Sequence, residues 1–96
     1  VPDRDRFAQM MVEDYPARAL RAKEEADVTV SMCVSVQGRA SNVQLVKPSG
    51  NQQFDDATVK GMTKLRFTPA KDSSGKPTAW CDPPYVLTVS WKLPKG

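Results

Sequence analysis

Ninety-six residues suffice for one small domain whose folding engages nearly all of its apolar positions, leaving little room for a buried catalytic cavity. The net charge of +3 comes from basic residues scattered between Arg4 and Lys95 with acids among them, which lacks the one-sided stripe of a nucleic-acid binder. Histidine is absent, which removes the commonest general base and every Ser-His-Asp or Cys-His arrangement, and two cysteines are too few for a structural zinc site.

No apolar run approaches the ~20 residues that span a bilayer, and no signal peptide is present. The abrupt opening at Val1-Pro2 reads as part of a longer protein. Residues 1–14 form an N-terminal extension in which Phe7, Met10 and Met11 suit one face of a short helix, so this stretch either docks or stays mobile. Residues 15–96 form the domain proper. Pro16 suits the first position of a helix over 16–23, because its missing N–H is no loss there.

At Asp27 the period changes. Val28, Val30, Met32, Val34 and Val36 alternate with mostly polar residues, which predicts a strand with one buried face. Gln37-Gly38 supplies the turn, and a second strand returns over 41–46 with Val43 and Leu45 on its core face. Phe54, Ala57, Gly61, Met62 and Leu65 then fall at helical spacing. Asp55 and Asp56 in the first turn and Lys60, Lys64 and Arg66 towards the end match the helix dipole, and Phe67-Thr68-Pro69 stops the helix. Residues 70–84 are expected as a loop. The last strand covers 85–93, with Tyr85, Leu87, Val89, Trp91 and Leu93 on one face and Thr88, Ser90 and Lys92 on the other.

The fold class is therefore α+β, with topology α-β-β-α-β: a three-stranded antiparallel sheet of order 2-1-3 with helices on one face. That order leaves the last strand on an edge. Its unpaired N–H and C=O groups can take up an extended peptide, with Tyr85, Val86, Leu87, Thr88, Val89, Ser90, Trp91 and Lys92 as the binding residues. Lys92, Pro94 and Lys95 blunt unwanted pairing, and the competing occupant of the edge is a second copy or the N-terminal segment. The paired carboxylates Glu24/Glu25 and Asp55/Asp56 point in different directions as sequence neighbours and read as capping and solvated groups, not as a catalytic pair. The glycines form no phosphate-binding loop. The chain is expected to be no enzyme and to need no cofactor or metal.

Cys33 and Cys81 leave two readings open. Bonded, they close a loop of about fifty residues, worth roughly 3–4 kcal/mol in the chain-entropy model. Otherwise they are separate thiols. If Val28 pairs near Leu93 and Val36 near Tyr85, Cys33 faces Thr88, and the loop through Pro83-Pro84 has to fold back for a bond to form.

Tyr15-Pro16-Ala17-Arg18-Ala19 resembles the motif that opens the TonB C-terminal domain family. The alternating strand from Val28 and the segment Gly38-Arg39-Ala40-Ser41-Asn42-Val43 occupy that family's next positions. Ser49-Gly50 followed by Phe54-Asp55-Asp56-Ala57 is similar to its helix start, Leu65-Arg66-Phe67-Thr68-Pro69-Ala70 to the segment closing that helix, and Gly75-Lys76-Pro77 to the loop beyond. The motif residues Tyr15, Pro16, Arg66, Phe67 and Pro69 carry the likeness over about 80 residues in order. Glu25-Ala26 stands where the family has Glu-Gly, Leu65 stands for its tryptophan, and the two cysteines lie outside the pattern.

The resemblance implies a periplasmic domain of an energy transducer anchored in the inner membrane and driven by motor proteins there. It also implies that the last strand binds the TonB box of outer-membrane transporters. The family's receptor contact just before the Tyr-Pro motif falls on Val12, Glu13 and Asp14, a segment that Glu13 and Asp14 make acidic where the family is rich in Gln and Pro. An oxidising periplasm favours the disulfide. The alternative of another class is a structural cell-envelope domain of the same fold that assembles with itself or with a scaffold, through a homodimer of edge strands, without energising transport.

Overall fold

Asp3 begins the first helix. Its carboxylate accepts the main-chain N–H groups of Asp5 and Arg6 at 3.0 and 3.1 Å and so caps α1 (Arg4–Glu13). The computed structural model describes residues 2–93, so Pro94 and Lys95, expected to blunt the edge, lie outside the described residues. Helix α1 sets Met10 into the core, with Phe7 and Met11 half-buried against it. It approaches α3 (Gln52–Lys64) where Gly61 lies beneath Met10, because a Cβ at Gly61 would overlap the Met10 Sδ. Pro16 stands just before α2 (Ala17–Ala22), one position earlier than expected, and Lys23 ends that helix in the left-handed conformation at φ 57°.

Strand β1 (Ala26–Val34) is central and follows its sequence pattern. Val28, Val30, Met32 and Val34 are buried, and Thr29, Ser31 and Cys33 face the other way. The expected fifth member, Val36, is 45% exposed instead. The chain has already turned there, with the Ser35 Oγ accepting the N–H groups of Gln37 and Arg39. Strand β2 (Ala40–Lys47) returns antiparallel to β1. Of its expected core residues Val43 is half-buried and Leu45 is 42% exposed. Register shifts between Thr29 and Val30 and between Ser31 and Cys33, with Asn42 at φ 51°, break the simple alternation that predicted a buried Leu45.

Asn51, not an aspartate, caps α3 by accepting the Gln53 N–H at 3.0 Å. Asp55 is buried, and its carboxylate accepts both the N–H and the hydroxyl of Ser49, each at 2.9 Å, holding the preceding loop to the helix. Helix α3 stops at Lys64, earlier than expected, because residues 66 and 67 are recruited elsewhere. Arg66 lies opposite Arg39, Phe67 lies opposite Pro2, and the Phe67 N–H donates to the Gly38 carbonyl at 2.8 Å. Gly38, at φ 80°, admits this approach, since a Cβ there would overlap the Phe67 carbonyl oxygen.

The expected loop over 70–84 is more ordered than that. It holds a two-stranded ribbon of β3 (Ala70–Lys71) and β4 (Pro77–Thr78), whose turn is organised by Asp72, and then the beginning of β5 (Trp80–Trp91). The main sheet is antiparallel with order β2-β1-β5, the predicted 2-1-3 arrangement with two short strands added between its second and last members. The core between sheet and helices centres on Trp91, Phe54, Met32 and Met62. The buried Trp91 indole N–H donates to the Thr58 Oγ1 at 2.8 Å, and that hydroxyl donates to the Phe54 carbonyl at 2.7 Å, so no polar atom of the group is left unpaired.

Candidate peptide-docking edge

Strand β5 pairs with β1 without interruption from Ala26–Trp91 to Met32–Tyr85. This register differs by four residues from the one expected, since Val28 lies opposite Val89 and not Leu93. The chain turns at Ser35, so β1 ends at Val34 and Val36 is not in the strand to meet Tyr85. Prolines 83 and 84 have no N–H and cannot extend a ladder, so between the Met32–Tyr85 and Val34–Trp80 pairs the residues 81–84 bulge against the single residue Cys33. The bulge places Cys81 beside Cys33, and the two form a disulfide with their Cα atoms 4.3 Å apart.

Tyr85, Leu87, Val89 and Trp91 point towards the helical layer, while Val86, Thr88, Ser90 and Lys92 are exposed on the other face. Two observations orient the main chain. The hydroxyls of Thr29 and Thr88 meet at 2.8 Å, the close approach of a non-hydrogen-bonded pair, whose main-chain groups turn away from each other. The Leu93 N–H, an odd number of positions further on, donates at 2.7 Å to the Glu25 carboxylate on the β1 side. Alternation then directs the N–H and C=O groups of Val86, Thr88 and Ser90 to the outer edge. Among the described residues no strand pairs with that edge.

Tyr15 joins the end of this edge to the helices. Its ring sits edge-on to Trp91 and Phe54 at centroid distances of 5.8 and 5.6 Å, and its hydroxyl donates to the Glu24 carbonyl. Burial, with the charges of Glu25 and Glu24, raises the Tyr15 phenol pKa, and burial does the same for Tyr85. Both phenols therefore stay neutral at neutral pH. Phe67 supports the other end, stacked edge-on against Tyr85 at 5.9 Å, while Arg66 is exposed and Pro69 half-buried.

Val12, Glu13 and Asp14 occupy a different place. Val12 is exposed, the Glu13 carboxylate accepts the Gln9 amide at 2.9 Å, and the Asp14 carboxylate is 3.9 Å from the Lys64 ammonium on α3. A shallow depression of about 240 Å³, lined by Asp14, Pro16, Gln53, Ala57, Lys60 and Lys64, adjoins that pair. The three residues thus belong to the helical layer, and Tyr15 is what ties them to β5. Glu25 is the member of the edge that sequence reasoning did not single out. Only the strand register brings it to Leu93, and no local pattern announces that contact. Among the described residues no cluster of His, Cys, Asp and Glu side chains is placed to hold a metal ion.

Residues 12–92 match the family described as Gram-negative bacterial TonB protein C-terminal. Protein tonB2 of Pseudomonas aeruginosa is 34% identical over 77 residues, which cover 80% of this chain and 28% of that protein. Protein TonB of Escherichia coli K12 is 34% identical over 61 residues, covering 64% of this chain and 26% of that protein. The chain thus spans little more than a quarter of the length of these curated relatives. Among solved structures, the TonB2 protein from Vibrio anguillarum superposes with a TM-score of 0.62 at 27% identity, over 84% of this chain and 74% of that one. The solution NMR structure of the Pseudomonas aeruginosa TonB CTD superposes with a TM-score of 0.64 at 24% identity, over 100% of this chain and 88% of that one, a likeness of fold.

Proposed function

The chain belongs to the Gram-negative bacterial TonB protein C-terminal family, and from that premise we propose that it is the receptor-facing, non-catalytic domain of a periplasmic energy transducer. In this reading residues 15–96 are the domain, and 1–14 join it to a longer protein anchored in the inner membrane, where motor proteins supply proton-motive energy. The partner is an outer-membrane transporter, which presents its TonB box as an extended segment along β5.

One observation carries the reading. The outer edge of β5 is regular over residues 85–91 and directs the main-chain groups of Val86, Thr88 and Ser90 away from β1. Main-chain pairing of this kind tolerates varied partner side chains, which suits a domain that serves several transporters. Exposed Val86, Thr88, Ser90 and Lys92 then contact alternate side chains of the incoming segment. Val12, Glu13 and Asp14 form a second contact reached through the Tyr15 corner.

The test is a titration of TonB-box peptides into isotopically labelled protein, followed by amide shifts. Shifts are expected at residues 85–93, largest at Val86, Thr88 and Ser90, with a smaller set at 10–15. Box peptides that leave the β5 amides unmoved at millimolar concentration sink the reading. Shifts confined to 10–15 would move the docking site to the helical layer.

A further inference from the structure

The Cys33–Cys81 disulfide spans the one stretch of β5 that cannot zip onto β1. On the β1 side of that stretch stands Cys33 alone, and on the β5 side stand Cys81, Asp82, Pro83 and Pro84. Two ties hold these residues to the sheet. One is the disulfide, and the other is the Val34–Trp80 pairing, with the Trp80 ring 5.0 Å from that of Tyr85. Cys81 is exposed, whereas Cys33 is half-buried on the central strand. A structural staple inside a core would join two buried residues; this one joins half-buried Cys33 to exposed Cys81.

We propose that the Cys33–Cys81 bond is a thiol-exchange site, a clasp at the N-terminal end of the docking edge that a dithiol reductant opens through Cys81. A thiolate of the dithiol attacks the Cys81 Sγ. The sulfur–sulfur bond breaks, and its electron pair leaves on Cys33, which takes up a proton. The second thiol of the reductant then attacks its own sulfur in the mixed disulfide and releases Cys81 as a thiolate, which is protonated in turn. The protein disulfide gains two electrons and two protons, and the dithiol becomes a disulfide.

Opening the clasp leaves residues 80–84 held through Trp80 alone, so the ladder frays up to and including Tyr85 while 87–91 stay paired. The edge offered to a partner loses its fixed N-terminal boundary. This consequence for binding rests on the docking reading; the exchange chemistry does not.

The test uses the whole chain in native buffer with millimolar dithiothreitol. Reduction is expected at least about ten times faster than global unfolding measured under the same conditions, because Cys81 is an exposed residue in the bulge and attack there needs no global unfolding. Amide exchange at Trp80, Cys81, Asp82 and Tyr85 should rise at least about tenfold on reduction, with 87–91 within about twofold, and Cys33→Ser/Cys81→Ser should reproduce this without reductant. Reduction no faster than unfolding, or an exchange increase spread evenly over the sheet, overturns the clasp. In a separate arm, TonB-box peptide affinity should fall at least about threefold on reduction. Equal affinity for both forms overturns the control of docking. A peptide that binds neither form overturns the docking reading, and the exchange pattern then decides the clasp by itself.

Discussion

The sheet has two outer edges, and they differ in regularity more than in hydrogen-bonding capacity. Strand β5 runs in unbroken register with β1 from Tyr85 to Trp91 and is anchored from below by buried Val89 and Trp91. Strand β2 is interrupted by two register shifts, carries Asn42 in the left-handed conformation, and leaves Leu45 and Val46 42% and 52% exposed. An extended peptide needs N–H and C=O groups at a constant spacing, and irregularity is one of the ways in which proteins protect an edge from such pairing. The backbone of β2 is therefore poorly suited to strand addition, while β5, more polar on its exposed face, has the regular edge that such pairing needs.

The contrast can be broken first at its anchors. Trp91→Ala removes a fully buried indole and the hydrogen bond to Thr58, and should cost about 3–5 kcal/mol in urea denaturation. Leu45→Ala on β2 should cost under about 1 kcal/mol, because much of that side chain is already in water. Similar losses from the two substitutions would show that both strands are equally anchored and that the distinction is wrong.

A smaller effect sharpens the edge itself. Thr88→Pro deletes one outward N–H, a loss of about 1 kcal/mol or roughly five- to tenfold in peptide affinity. Proline is tolerated on an edge whose N–H faces solvent, so the thermal transition should shift far less than in Trp91→Ala. A larger stability loss together with unchanged peptide binding would mean that the Thr88 N–H pairs with β1 and that the assigned orientation is reversed.

The smallest effect lies in the β3–β4 ribbon, away from both edges. The Ser74 hydroxyl, with the Lys76, Ser74 and Gly75 main chain, holds the Asp72 carboxyl below the usual carboxylate range. A depressed pKa stabilises the ribbon above the unfolded value, and that contribution disappears as pH falls through the folded one. Amide shifts of Ser74 and Lys76 should therefore move only in acid, below the ordinary aspartate titration, with the β5 amides unchanged. Movement at neutral pH would show that Asp72 does not organise the turn.

Much of this protein was legible in the residues. The Val28–Val34 alternation marked the central strand, the Phe54–Leu65 spacing marked α3, and Tyr15-Pro16 with Arg66-Phe67 pointed to the family. Leu45 was misread because alternation assumes an unbroken ladder, and Asn42 with its neighbouring shifts breaks it. The end of α3 was set too late because residues 66 and 67 leave the helix to bridge Arg39 and Pro2, partners far away in sequence.

Periodicity by itself determined the order of the main helices and strands and the buried faces of β1 and β5, which depend on residues close together along the chain. Only the tertiary structure decided the register of β5. The regular part of the strand lies four residues from the simple expectation, and beyond Tyr85 two prolines force a bulge that sets residues 81–84 against Cys33 and brings Cys81 to it. The same register carries Leu93 to Glu25 and turns Thr88 outward. Register depends on which residues far apart in sequence can pair, and no local pattern encodes that choice.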